Sequence, residues 1–379
     1  MTGDSSSQAA PIQTTRPAWT RTARRVLTPL FSLAIVVAVF WYFLPQFTSI
    51  SAVWTSVRAM TWLQVLTLVL LALWNQVSYF VVNVSTMPGL TYPQSSVATE
   101  SSTAVSNTVP GGGAIGIGMN YAMFSSWGFS ASRTTVSLLV SGVWNNFAKL
   151  ALPVLALALL ALQGSPGAGR IAAGLLGLAG LVAAIVVFGM LLSSAEAAAR
   201  IGRGAGRAAS GLLRVVRRPP VQGWDRATVK FRYRMVTLLK ARWPLITLST
   251  LVSHLSLYLV LLVALRFVGV SDAEVGWVEV LAVFSFARLL TAIPFTPGGL
   301  GVIEFALITG LAAAGGPRAQ VAAAVLVFRA LTYVLPIPLG AVAYVFWRRN
   351  RSWRRPPGGA PRTELVAEWV EPGPVPARG

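Results

Sequence analysis

The sequence predicts an all-α polytopic membrane protein, with about seven to nine transmembrane helices in two inverted-topology repeats. Three observations predict it. Of the 379 residues, 55% are hydrophobic and only 11% charged, where a soluble domain carries about 25% charged residues. The apolar residues fall in blocks near the roughly 20 helical residues that cross a bilayer core. Two Pro-Gly-Gly breaks occupy corresponding places in the two halves, at 110–112 and 297–299.

The elements follow in chain order. Residues 1–25 are polar, carry Arg16, Arg21, Arg24 and Arg25, and read as a disordered basic tail. A transmembrane region extends over 26–346, its first span at 27–44. That block ends in Trp41, Tyr42 and Phe43, an interfacial aromatic belt that marks a retained span rather than a cleaved signal peptide. Further apolar blocks follow at 62–84, 135–162, 170–193, 244–268, 275–293 and 319–346. Residues 95–127 are rich in Ser, Thr and Gly and are interrupted by Pro110-Gly111-Gly112-Gly113. Residues 294–314 begin with Pro294 and contain Pro297-Gly298-Gly299 and Gly301. Proline removes a backbone donor and glycine frees the dihedrals, so neither stretch forms one continuous helix. Broken backbone at membrane depth persists only where protein or a wet cavity covers it. Residues 347–379 form a second disordered basic tail.

Charge predicts the orientation. The N-terminal tail, the loop 194–243 and the C-terminal tail hold 23 of the 31 basic residues, which places all three in the cytoplasm. A plasma-membrane protein with both termini cytoplasmic follows. Parity then requires 95–127 and 275–314 each to return to the side they left. Re-entrant hairpins and pairs of full spans both satisfy this. The short legs favour a hairpin in the first region, and the second stays open. Within the loop, Arg200, Arg203, Arg207 and Arg214 recur at helical spacing, as in a basic interfacial helix on anionic lipid or a disordered basic loop. The net charge of +20 is thereby matched by the membrane surface, and nucleic acid is not an expected partner.

The halves at about 62–162 and 244–346 resemble each other. Trp62, Asn75 and Tyr79 have counterparts in Trp243, His254 and Tyr258. The Pro-Gly-Gly breaks match, and Asn146 and Pro153 correspond to Arg329 and Pro336. Charge makes 62–84 run inward and 244–268 outward, the inverted-repeat pattern of transporters whose sites lie at discontinuous helices.

The sharpest motif is Ile293-Pro294-Phe295-Thr296-Pro297-Gly298-Gly299-Leu300-Gly301-Val302-Ile303-Glu304. It resembles the Pro-x-x-Pro-Gly-Gly-x-Gly signature, followed by a glutamate, of the lysylphosphatidylglycerol synthase transmembrane (flippase-like) family. Phe286-Ala287-Arg288-Leu289-Leu290 and Phe328-Arg329-Ala330 are similar to that family as well. In the first half Pro110-Gly111-Gly112 remains, but Ile117 stands where the acid would be. The resemblance implies the lipid-translocating part without the soluble aminoacyl-transferase domain of bifunctional members, since only 32 residues follow Trp347, too few for such a domain.

Read from the residues themselves, the motif breaks a helix and restarts it near Leu300, presenting free N–H groups and a positive dipole end suited to a phosphate. Ionisable residues inside a membrane are costly unless paired or facing a wet cavity. Arg288, Glu304, Arg329 and Lys149 are therefore the expected headgroup or translocation residues. The structural alternatives are an Arg288–Glu304 pair that holds the hairpin, and pairs of Lys149 and Arg329 with Glu100 and Glu304. The hinge residues are Pro110, Gly111, Gly112, Pro294, Pro297, Gly298, Gly299 and Gly301. His254 reads as a hydrogen-bonded packing residue, and Asn145 and Asn146 as a polar face or interhelical contacts.

With no cysteine and one histidine, thiolate and histidine-cluster metal sites are excluded, and neither a metal nor a cofactor is expected. The chain has no His-Glu-x-x-His, no Asp-x-Asp and no Walker A run, which argues against an enzyme and against ATP-driven transport. The expectation is translocation of a phospholipid or other anionic lipid between leaflets. The alternative is a non-transporting membrane partner that anchors or regulates a separate cell-envelope enzyme.

Overall fold

The computed structural model describes residues 50–355 except 110, 165–167, 197–198, 201–202, 205, 208–209, 211–223 and 292–296. The expected span 27–44, the tail 1–25, Arg214, Pro110 and Pro294 lie outside the described residues.

The described chain is helical, without a strand. A short helix α1 (Ile50–Arg58) leads into α2 (Trp62–Thr86), and two shorter helices follow, α3 (Tyr92–Thr108) and α4 (Gly112–Ser126). The long α5 (Ala131–Leu162) and α6 (Ala168–Ser193) close the first half. The second half holds α7 (Trp224–Phe267), α8 (Trp277–Leu290), α9 (Val302–Ala313), α10 (Arg318–Arg329) and α11 (Pro336–Arg349). The starts of α2 and α3 carry the same device. Thr61 and Thr91 accept from the backbone of Gln64 and Gln94, whose side chains accept from the threonine N–H groups.

Among the described residues, four helices are long and apolar enough to cross a membrane: 62–86, 131–162, 228–267 and 318–349. The helix α2 shows why they need one. Leu63, Leu66, Leu70, Leu73 and Trp74 are exposed, while Asn75, Gln76, Ser78, Ser85 and Thr86 are buried. Water would disfavour that distribution, and a hydrocarbon surround favours it. The protein is a membrane protein.

Two expectations change. Residues 224–243, assigned to the basic loop 194–243, are helical and continuous with the apolar stretch, and Pro244 sits inside α7. Within the apolar block 275–293, the helix begins at Trp277 and its described part runs to Leu290. Before it runs a tight turn in which Arg266 pairs with Asp272 at 2.5 Å and Glu274 caps Ser271. Backbone and side-chain hydrogen bonds from Ser271 hold the Glu274 carboxyl below its ordinary range.

The helix 318–349 changes pitch once. Residues Ala330–Val334 form a π turn, with Leu335 N–H donating to the Ala330 carbonyl at 2.9 Å. Pro336 and Pro338 bring no N–H to the carbonyls four residues earlier, so the regular ladder fails at this point.

The packing positions the breaks. Helix α2 lies along α7, α3 along α11, and α8 along α5. The α3–α11 approach is close because Gly340 is buried, and a side chain there would meet the Glu100 carbonyl and Ala104. Leu281, Phe284, Ile303, Leu307 and Val321 join α8, α9 and α10 in the main apolar core.

Candidate functional site

The two chain breaks face each other across one cavity. The first joins α3 to α4 at Val109–Gly111, with Gly111 at φ +68°. The legs close tightly because Gly112 lies against the backbone of Val105 and Ser106. The second contains the 3-10 turn Pro297–Gly299, with Gly298 at φ +56°, and restarts as α9 at Val302. These left-handed values favour glycine strongly.

Asn107 and Tyr333 bind the breaks together. Asn107 Nδ2 donates to the Tyr333 carbonyl at 3.0 Å, and the Tyr333 hydroxyl donates to the Asn107 carbonyl. Gly298 sits beside both, and a Cβ at that position would run into the Tyr333 ring.

The cavity has a volume of about 410 Å³. Its wall includes Gly111–Gly113 from the first break, Gly298 and Gly299 from the second, and Lys149, Arg288 and Arg329. The three cations differ in state. Arg329 Nε donates to Glu304 Oε1 at 2.6 Å, its Nη2 donates to the Gly298 carbonyl at 3.2 Å, and its guanidinium lies 4.5 Å from the Tyr333 ring centroid. Residues Arg329 and Glu304 are 6% and 8% exposed, so this ion pair is buried. Among the described residues, no carboxylate lies within ion-pair distance of Lys149 or Arg288. The Nε of Arg288 is buried without a hydrogen-bond partner among them.

Two expected pairings are thereby corrected. Glu304 pairs with Arg329, not Arg288: Arg288 lies on α8 before the break, whereas Arg329 at the end of α10 comes against the start of α9. Glu100 is not paired with Lys149. Both its oxygens receive Gln76 Nε2, at 3.0 and 3.1 Å. Glu304 is not among the cavity-lining residues but stands behind Arg329.

The model of the family described as the lysylphosphatidylglycerol synthase TM region matches residues 30–340. The chain belongs to the lysylphosphatidylglycerol synthase TM region family. No curated protein matches it.

In this family member the hinge glycines Gly111, Gly112, Gly298, Gly299 and Gly301 sit at the two breaks, and Pro297 opens the 3-10 turn. His254 is buried, with Nε2 3.0 Å from Asn145 Oδ1, and Asn146 is exposed. A second cavity of about 500 Å³, with a largely apolar wall, includes His254, Asn145 and Leu139 and shares Tyr79 with the first. Sequence reasoning missed Gln76, Asn107 and Tyr333 as site residues. Their signal was a polar side chain in or beside an apolar helix, which many packing residues also give. The described residues hold no cluster of His, Cys, Asp or Glu that could bind a metal.

Proposed function

We propose that this protein moves an anionic lipid between leaflets, with the headgroup passing through the cavity between the two chain breaks. One observation carries the reading. An apolar-surfaced protein keeps two cations, Lys149 and Arg288, without a carboxylate partner among the described residues, at a cavity bounded by two interrupted helices. An unpaired charge inside a membrane is costly, by about 2.5–3.5 kcal/mol or more at the centre. A phosphate entering the cavity would relieve that cost, and the apolar second cavity, on the other side of Tyr79, would suit acyl chains.

The architecture supports the same reading. Helices α3, α4, α8 and α9 have 17, 15, 14 and 12 residues, fewer than the roughly 20 that cross a bilayer core. We read them as two re-entrant hairpins. Packing of α3 on α11 and of α8 on α5 is reciprocal: each hairpin's first leg lies on the long helix that follows the other hairpin. That exchange supports our reading of the two halves as an inverted repeat. The concentration of arginine after Trp347 and in 194–243 supports a reading with both termini in the cytoplasm, and we read the membrane as the plasma membrane.

The test is reconstitution in vesicles of phosphatidylcholine with a trace of fluorescent phosphatidylglycerol. An impermeant quencher then reports movement between leaflets. The reading expects quenching beyond the outer-leaflet half at a rate set by protein content. Rates equal to those of protein-free vesicles would contradict it, and would favour a non-transporting partner of an envelope enzyme.

A further inference from the structure

We infer that the cavity selects a headgroup combining a phosphate with uncharged hydroxyls, and rejects one that carries an ammonium group. The inference rests on the headgroup reading above and narrows its substrate class.

The charge inventory is one-sided. Among the described residues, Lys149, Arg288 and Arg329 line the cavity and no carboxylate does. Both nearby acids are engaged elsewhere. Glu304 is held by Arg329, its second oxygen is buried without a hydrogen-bond partner among the described residues, and the residue does not line the cavity. The two Glu100 oxygens both accept from Gln76. A phosphate entering the cavity meets Lys149 and Arg288, whose charges no side chain offsets. An ammonium group meets the same two cations, with no counter-charge to receive it. Like charges brought together at a site of low dielectric discriminate strongly against the wrong ligand.

The uncharged wall adds a preference of its own. Ser106, Thr291 and Thr332 each donate their hydroxyl proton to a carbonyl of their own segment: Ser102 at 2.8 Å, Arg288 at 2.6 Å and Phe328 at 2.7 Å. What they offer the cavity is therefore oxygen lone pairs. Acceptors on the wall call for donors on the ligand, and with ammonium excluded by charge, the fitting donors are hydroxyls of a glycerol or sugar. A headgroup without donors leaves such acceptors unpaired and binds more weakly. The chain thus favours a phosphopolyol lipid over the lysylated lipid in its family's name.

Short-chain lipids added to the detergent-solubilised full chain test this, with binding read from the shift in thermal unfolding temperature. The probes are dihexanoylphosphatidylglycerol, its lysyl ester and dihexanoylphosphatidylethanolamine. Phosphatidylglycerol is expected to bind roughly tenfold or more tighter than either amine-bearing lipid. A Thr103→Glu variant, which adds a carboxylate to the cavity wall, should narrow that gap for the lysyl ester. Equal or tighter binding of the lysyl ester by the native chain overturns the selectivity, and leaves translocation standing if the vesicle assay is positive. Selective binding without movement in vesicles upholds the inference and removes the translocation reading. Binding of none of the three overturns both.

Discussion

Arg329 Nε donates a 2.6 Å hydrogen bond to Glu304 Oε1 inside the protein, with both side chains buried. Through Nη2 the same guanidinium donates to the Gly298 carbonyl, and its face lies on Tyr333. Arg329 therefore anchors the second chain break. In the proposed function the headgroup role falls to Lys149 and Arg288, which have no carboxylate partner among the described residues.

Separating that pair should cost stability. Glu304→Gln leaves Arg329 as a buried charge without its partner, and a loss of about 3–5 kcal/mol is expected. Arg329→Lys is not conservative here, because an ammonium cannot reproduce the planar fork that serves Glu304 and Gly298 together. Thermal unfolding in detergent measures both. An unchanged unfolding temperature for Glu304→Gln would show that the pair holds nothing.

Gly298→Ala tests the break itself. The residue sits at φ +56°, where a Cβ costs about 1–2 kcal/mol, and the new methyl would press on the Tyr333 ring. The variant should be less stable by at least that amount and should loosen the Asn107–Tyr333 contact. Hydrogen exchange at residues near 107 and 333 reads the loosening. Native protection there would mean that the break tolerates a side chain.

The absence of cysteine makes orientation directly measurable. Ala273 and Arg351 are both exposed, at the α7–α8 turn and after α11. Single Ala273→Cys and Arg351→Cys variants should label from opposite sides of sealed vesicles, with position 351 on the cytoplasmic side. Labelling of both from one side would contradict the proposed orientation.

Much of this fold was legible before any coordinates. Apolar runs such as 62–84 and 135–162 are set by local composition, and the breaks at Gly111 and Gly298 by local backbone chemistry. What failed depended on tertiary placement. Arg288 and Arg329 are equally plausible partners for Glu304 along the chain, and only the seating of α10 beside α9 decides between them. The helical stretch 224–243 carries too many charges to read as part of an apolar helix, yet nothing in it stops α7 from extending. Asn107 and Tyr333 meet across more than two hundred residues, so their contact leaves no local trace. The π turn at 330–334 was likewise unread, although Pro336 just beyond it was the clue.

The Lys149→Gln/Arg288→Gln double variant asks whether the two cations that have no carboxylate partner among the described residues handle the lipid headgroup, as proposed. Its rate of fluorescent phosphatidylglycerol movement in proteoliposomes would be compared with that of the native chain. Removing charges that have no carboxylate partner should leave the unfolding temperature unchanged or raise it, since neither variant separates an ion pair. The account predicts a folded protein whose lipid movement falls to the rate of protein-free vesicles. A folded double variant that moves the lipid at the native rate would contradict it.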